Sequence, residues 1–344
     1  MKFPTAPMGI TLGSTSALNI LSHVSSVQPR TSPRSPIPFA EVQTEAFRLG
    51  WDDVGITTAT ISEEDIQAYR DWLKGSKHAG LVYMENDLRC YPQKLLPGAK
   101  TAIIFVTNYK QIWKPFRKDA GLIASYARGK KYHNVHHKRL KRFIRWLEER
   151  SGQKDIAKGF SDSTPILEKS LAVQAGLGWF GKNTLLIHRR FGTFTLLSGV
   201  LSTLEFTGVV TAQRLPRCGS CQRCMDACPT QALEAPYKLD AAKCLSYHLI
   251  ESKKEIPKSI HHKNPGYIFG CDICQDVCPH NVRSKLSEHL EFFPDSGMGI
   301  YLTFAEAEGL KHQPEKLHGT PLQRRGVEGL LYTANLLNHP THME

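Results

Sequence analysis

Eight of the nine cysteines lie between positions 218 and 278, and their spacing is the strongest chemical signal in the chain. The first run reads Cys218-x2-Cys221-x2-Cys224-x3-Cys228-Pro229. This is the bacterial ferredoxin spacing, in which three thiolates take one 4Fe-4S cluster and the fourth crosses to a second. The second run ends in Cys271-x2-Cys274-x3-Cys278-Pro279, while its leading cysteine, Cys244, stands apart across the insertion 245–270. By the crossing rule Cys218, Cys221, Cys224 and Cys278 hold one cluster, and Cys228, Cys244, Cys271 and Cys274 hold the other. The chemistry is the transfer of single electrons. A disulfide framework would need an oxidising compartment, and no apolar h-region with a charged start is present. Structural zinc also uses Cys-x2-Cys pairs but does not ask for two Cys-x3-Cys-Pro endings. Cys90, the ninth, reads as an ordinary half-buried thiol.

Two clusters need a scaffold, and the remaining chain is long enough for one sizeable α/β (α+β) core with the two-cluster bacterial ferredoxin-like domain inserted in it. Residues 1–38 are rich in Ser, Thr and Pro, with Glu41 the first acid, and read as a disordered leader. A transit peptide shares that bias but wants more arginine. From Phe39 the pattern is globular. Helices are predicted over 41–49 and 63–73, with a short strand over 53–57, and a buried strand over 99–109 by its β-branched run. The helix over 133–149 has Leu140, Phe143, Ile144 and Leu147 on its apolar face. Its other face carries Lys138, Arg139, Lys141, Arg142 and Arg145 with His133, His136 and His137, a set that suits a phosphate backbone or solvent alone. Glycines 176, 178 and 181 match the dinucleotide fingerprint only formally, because that fingerprint requires a strand-to-helix turn. Here a helix over 165–175, with proline in its first turn, ends at the glycines and leads into a strand over 183–187 that pairs with one over 192–202. The expected domains are a core over 39–207, the ferredoxin-like insert over 208–290 and a short C-terminal helical segment over 291–344.

The formal charge is +12, and two clusters of about −2 each still leave roughly +8. Such an excess is a physical argument for an anionic partner, with nucleic acid first. No apolar stretch is long enough to span a membrane, so a soluble, cytoplasmic monomer is expected. The insertion 245–270 mixes Lys253, Lys254, Lys258, His261, His262 and Lys263 with Tyr247 and Tyr267. Cations for phosphates and aromatic faces for stacked bases are what single-stranded recognition uses. With Arg324 and Arg325 they would form a continuous basic rim.

The strings Asp162-Ser-Thr-Pro-Ile-Leu-Glu168 and Gly176-Leu-Gly-Trp-Phe-Gly-Lys-Asn-Thr-Leu-Leu-Ile187, together with both cysteine runs, resemble the epoxyqueuosine reductases. Leu96-Pro-Gly-Ala-Lys100, Tyr126-Ala-Arg-Gly-Lys-Lys-Tyr-His133 and Gly319-Thr-Pro-Leu-Gln-Arg-Arg-Gly extend the resemblance from about Phe39 to the C-terminus. These are cobalamin- and iron–sulfur-dependent enzymes that complete queuosine in tRNA. The resemblance implies loss of the epoxide oxygen at the anticodon wobble base, a two-electron, two-proton reduction that gives an alkene and water. Electrons from an external flavodoxin- or ferredoxin-type donor would pass through the clusters to cobalt.

By the same resemblance Asp162 is the proton donor, and the role requires it to hold its proton near neutral pH in a desolvated pocket. On spacing alone it reads as a helix cap. Cobalamin would lie between core and insert, lined by Arg89, Ser125, Leu186 and Leu197 on one side and by Ser246, Gly270 and Cys271 on the other. Lys182 and Asn183 would hold the corrin amides or cap their turn. Lys253, Lys254, Arg324 and Arg325 would contact tRNA. Two alternatives come from other classes. A reductive dehalogenase-like cobalamin enzyme predicts a closed apolar pocket for small halogenated molecules, and a plain iron–sulfur electron carrier leaves the residues ahead of the cysteines without a use.

Overall fold

The computed structural model describes residues 36–209 and 217–338. The expected leader lies outside these, except that Ile37–Pro38 pairs in parallel with Phe206–Thr207, so regular structure begins ahead of the expected boundary. Helix Glu63–Lys74 shows why the local signals work. Ser62 Oγ accepts from the Asp65 N–H at 3.3 Å, three acids occupy the first turn and Lys74 the last, each favourable to the helix dipole.

The central sheet runs Asp53–Thr58, Thr101–Asn108, Thr195–Ser202, Ala157–Phe160, antiparallel throughout. All eight residues of Thr101–Asn108 are buried, because both faces of the sheet are covered and alternate side chains feed two separate cores. Ile104 and Val106 pack with Phe160, Ile166 and Leu171. Ile103 and Phe105 pack with Trp51, Leu140, Phe143 and Leu147, and the Trp51 ring stacks on Phe105 at 3.9 Å.

The one predicted strand pairing is corrected. Thr195–Ser202 does not turn back on the preceding strand; it takes the full register of Thr101–Asn108 instead. Leu186–His188 pairs with Gly178–Phe180, and only a His188–Gly192 bridge joins it to the turn leading into Thr195–Ser202. An eight-residue strand satisfies its backbone groups and buries both faces against a partner of equal length, which a three-residue strand cannot offer. The helix expected over 165–175 is Glu168–Gln174, because Leu167, at φ −84 and ψ 74, stands outside helical conformation as its N-cap.

The long helix is Tyr132–Ser151, but its polar face is less basic than the sequence indicates. Arg139 is buried, donating to Gly50 O at 2.6 Å and to Glu291 at 2.7 Å. His136 is buried between Ser161 and Thr107, and burial lowers its imidazole to about 3, which keeps it neutral. Lys138, Lys141, Arg142 and Arg145 remain exposed.

A second sheet has Ala120–Ile123 at its centre, flanked in parallel by Tyr267–Phe269 and antiparallel by Tyr301–Thr303. Helices Phe304–Gly309 and Gly326–Asn338 cover it through Leu310, Leu330 and Leu331. At Gly121 an added Cβ would stand 2.3 Å from Ile268 Cβ, so this seam closes only around a residue without a side chain. No helix among the described residues is long and apolar enough to cross a membrane. Gly121→Ala is expected to destabilise the fold by about 1–3 kcal/mol, read as a lower midpoint in thermal unfolding followed by circular dichroism.

Candidate functional site

Each cysteine run folds into a single helical turn, Arg223–Asp226 in the first and Ile273–Asp276 in the second. Cys218, Cys221, Cys224 and Cys278 line one cavity with Lys182, Asn183, Ile187, Pro279 and His280. A ligand from the second run therefore joins three from the first, as the crossing rule requires. The surroundings fit a sulfur-rich group. Trp179 packs with Cys218 and Cys278, and its buried Nε1–H has no partner, which leaves a donor for sulfur. Burial pushes the Cys271 and Cys274 thiols well up, with neighbouring cysteines adding to it. Such thiols become thiolates when a metal centre compensates the charge. Cys244 is likewise pushed up by burial, against backbone N–H bonds from Tyr247 and Ser246, so Ser246 is held beside this second set.

Lys182 and Asn183 are turned to the cysteine loops rather than presented for corrin amides. Lys182 Nζ donates to Gly219 O at 2.7 Å and Cys221 O at 2.9 Å, and Asn183 Nδ2 donates to Cys274 O at 3.3 Å. The other expected cofactor residues fall into two groups. Ser125 N–H donates to Asp272 Oδ2 at 2.6 Å, which sets Ser125 beside Cys271. Gly270, at φ +69, has Ala124 Cβ 2.6 Å from where its own Cβ would be. On the core side Leu186 is buried in a cluster that Leu197 packs against. Arg89 donates to Tyr83 O and accepts at its own carbonyl from the Leu167 N–H, both at 3.3 Å, so it borders the Asp162 loop.

Asp162 sits at φ +48, a left-handed conformation that Asp tolerates better than most residues. Its N–H donates to Glu168 Oε1 at 2.6 Å, and its carboxylate accepts from His133 Nε2 at 2.9 Å. The His133 ring stacks on Tyr132 at 4.1 Å. Tyr132 stands edge-on to Tyr126, and Tyr126 lies 6.3 Å from Phe269, so aromatic contacts link the Asp162 side to the Gly270 side. Desolvation by the surrounding protein pushes the Asp162 carboxyl up, but the hydrogen bond and charge of His133, with help from Tyr132 and Arg89, outweigh it and hold it below the usual carboxylate range. The expectation of a protonated Asp162 near neutral pH is thus corrected in this arrangement: 61% of its side chain is exposed and the imidazole stabilises the anion. Glu168 goes the other way, raised to about 8 by burial first and the Asp162 charge second. Burial also raises Tyr83 to about 12.

The basic rim is partly dismantled. Arg325 is buried and donates to Ser252 O, so it is withdrawn from the surface. Arg324 is ion-paired with Glu251 at 2.5 Å and lies over the Tyr83 ring. Lys253 Nζ donates to Arg324 O at 2.7 Å, and Lys254 is exposed. Sequence reading missed Glu168 and His133 as partners of Asp162, although Glu168 closes the Asp162 string six residues on and His133 ends the Tyr126 stretch.

A mixed α/β fold with a two-cluster ferredoxin-like cysteine region beside a carboxylate–imidazole pair defines an iron–sulfur oxidoreductase. Residues 217–281 match the 4Fe-4S double cluster binding domain, and residues 89–163 match Epoxyqueuosine reductase QueG, DUF1730. The epoxyqueuosine reductase of Cyclobacterium marinum is 39% identical over 260 residues, 75% of this chain and 83% of that one. The chain belongs to the epoxyqueuosine reductase family. A crystal structure of epoxyqueuosine reductase with a tRNA-Tyr epoxyqueuosine-modified stem loop superposes with a TM-score of 0.77 at 27% identity, covering 88% of this chain and 80% of the other. The Bacillus subtilis enzyme, solved with its catalytic aspartate loop swung out of the active site, gives 0.77 at 26% identity over the same shares.

Glu168 binds a proton in the folded state between its ordinary 4.5 and about 8, where the unfolded chain has released it, so stability falls as pH rises through that window. Glu168→Gln keeps an acceptor for the Asp162 N–H and removes the titration. Its thermal midpoint is expected to fall less than the wild type's between about pH 5 and about pH 8, as differential scanning fluorimetry will read.

Proposed function

We propose that this chain reduces the epoxide of epoxyqueuosine in tRNA to queuosine, with loss of water, and that Asp162 is its proton donor. The observation that carries the reading is the Asp162–His133 pair at 2.9 Å, which ties the loop between Ala157–Phe160 and Glu168–Gln174 to the first turn of helix Tyr132–Ser151 in a member of the epoxyqueuosine reductase family. The alkoxide formed on epoxide opening is a poor leaving group, and a positioned acid supplies what it lacks. Asp162 is ionised as found, so it takes up a proton before giving one. His133 Nε2 is the group placed to deliver that proton, and the same couple can serve both protons of the reaction. Glu168 holds the Asp162 backbone through its N–H. The B. subtilis relative solved with its catalytic aspartate loop swung out of the active site supports reading the Asp162 loop as one that a few such bonds keep in place.

Cobalamin would lie between the two groups of residues described above. Leu197, backed by Leu186, offers an apolar surface on the core side, with Arg89 at its edge, and Ser125, Ser246, Gly270 and Cys271 approach from the cysteine side. When bound, it supplies a cobalt centre that single electrons from the two 4Fe-4S clusters can bring to a strongly reducing state. The cysteine region, about 208–290, is read as an insert between the core at 39–207 and the helical segment at 291–344. The relative solved with a tRNA stem loop supports tRNA as substrate, gripped by Lys253, Lys254 and Arg324 with the Tyr83 ring among them. Electrons come from an external one-electron donor of flavodoxin or ferredoxin type.

Anaerobically reconstituted enzyme is expected to convert epoxyqueuosine in tRNA in a single turnover. Asp162→Asn should slow it by about 100- to 10,000-fold, with cluster and corrin absorption and tRNA affinity retained. A variant as fast as the wild type would place the donor elsewhere.

A further inference from the structure

We infer that the surface around Cys218, Cys221, Cys224 and Cys278 is the docking face for a small acidic protein that delivers electrons one at a time. The inference rests on the redox reading above and adds where reduction begins and what recognises the donor.

The two cysteine sets differ in what surrounds them. In the first run Gly219, Ser220, Gln222 and Arg223 are all exposed. In the second, Phe269, Gly270 and Asp272 next to Cys271 are buried, and Asp272 is bonded to Ser125. The second set therefore faces into the protein toward the residues proposed for cobalamin, and the first set lies under the surface an incoming protein meets.

That surface has the composition of a transient redox interface. Arg217, Arg223 and Arg283 are exposed around the ligands, and Lys182 reaches into the same loop. Tyr237, 45% exposed and near enough to Cys218 to feel its charge, and Val282, 76% exposed, supply apolar area among the cations. The acids in these stretches do not cancel the charge. Asp226 and Asp276 are exposed against three exposed arginines, and Glu234 is tied to Lys77 at 2.8 Å and Lys243 at 2.6 Å. Apolar area among side chains with a cationic excess favours fast, salt-sensitive encounter with a partner of the opposite sign. The cations paired with exposed aromatic surface and proposed for RNA, Lys253, Lys254 and Arg324 with Tyr83, share no residue with this face, and among them Lys253 is bonded to Arg324 and Arg324 to Glu251.

In each encounter the carrier loses one electron and the cluster held by Cys218, Cys221, Cys224 and Cys278 gains it. Two encounters supply the two electrons of one turnover. The protons enter at Asp162, so none has to cross this face.

The test is stopped-flow reduction of reconstituted enzyme by flavodoxin hydroquinone, following cluster bleaching at several salt concentrations. The charge-reversed pair Arg223→Glu and Arg283→Glu is expected to lower the second-order rate constant roughly tenfold or more at low salt and to flatten its salt dependence. The neutral pair Arg223→Gln and Arg283→Gln should fall between. Reduction by dithionite and affinity for the tRNA stem loop should match wild type. A carrier rate equal to wild type in both double variants overturns the inference, as does a loss of stem-loop affinity with the carrier rate unchanged, which would make this an RNA surface. If the carrier kinetics change as expected but dithionite-reduced wild type leaves epoxyqueuosine intact, the docking face stands and the proposed reaction fails.

Discussion

Gly121 meets Ile268 with no room for a side chain between them, and this close approach determines where the cysteine region lies against the core. The contact belongs to a short parallel pairing in which Leu122 N–H donates to Gly266 O at 2.8 Å and Ala124 N–H to Phe269 O at 2.9 Å. A slip of one residue would turn every side chain of Tyr267–Phe269 to the opposite face and carry Gly270 and Cys271 away from Ser125. Further ties hold the same alignment. Tyr109 donates to Gln275 at 3.2 Å, and Asn281 Nδ2 donates to Thr193 Oγ1 at 2.8 Å. Cluster ligands and core thus meet through backbone geometry, which is stiffer than any set of surface side chains.

On the core side, two carboxyl groups six residues apart are driven in opposite directions by their neighbours. Asp162 faces an imidazole and is held as an anion, while Glu168 faces Asp162 in a more desolvated position and keeps its proton at neutral pH. Pairs separated in this way are how one site can both hold and accept protons near pH 7. The arrangement also lets Glu168 accept the Asp162 N–H without placing a second full negative charge beside it.

Much of this was legible in the sequence, and the boundary of what was legible tracks the range of the interactions. Cysteine spacing is a local pattern, and the grouping of Cys278 with Cys218, Cys221 and Cys224 comes directly from it. The helices at Phe39–Arg48, Glu63–Lys74 and Tyr132–Ser151 come from periodicity and caps. The failures were non-local. No feature of 192–202 reveals that its partner is the strand about ninety residues back, and no feature of Arg325 or Arg139 distinguishes them from the exposed cations beside them. Lys182 likewise reads as a generic turn residue until the Gly219 and Cys221 carbonyls arrive from a distant loop. For Asp162 the residue type was readable, but its charge state was not, because that depends on His133, which lies on another element.

The seam at Gly121 also bears on how such a chain can be rearranged by evolution or by engineering. A ferredoxin joined to a catalytic domain by linkers can be exchanged for another that carries the same clusters. Here the cysteine region lends the strand Tyr267–Phe269 to a sheet whose other two strands, Ala120–Ile123 and Tyr301–Thr303, come from before and after it. A foreign two-cluster module grafted between the flanking segments would remove an edge strand and expose the backbone of Ala120–Ile123 on that side. The redox region and the core therefore share one sheet, and a larger residue at Gly121 is expected to require a smaller one at Ile268.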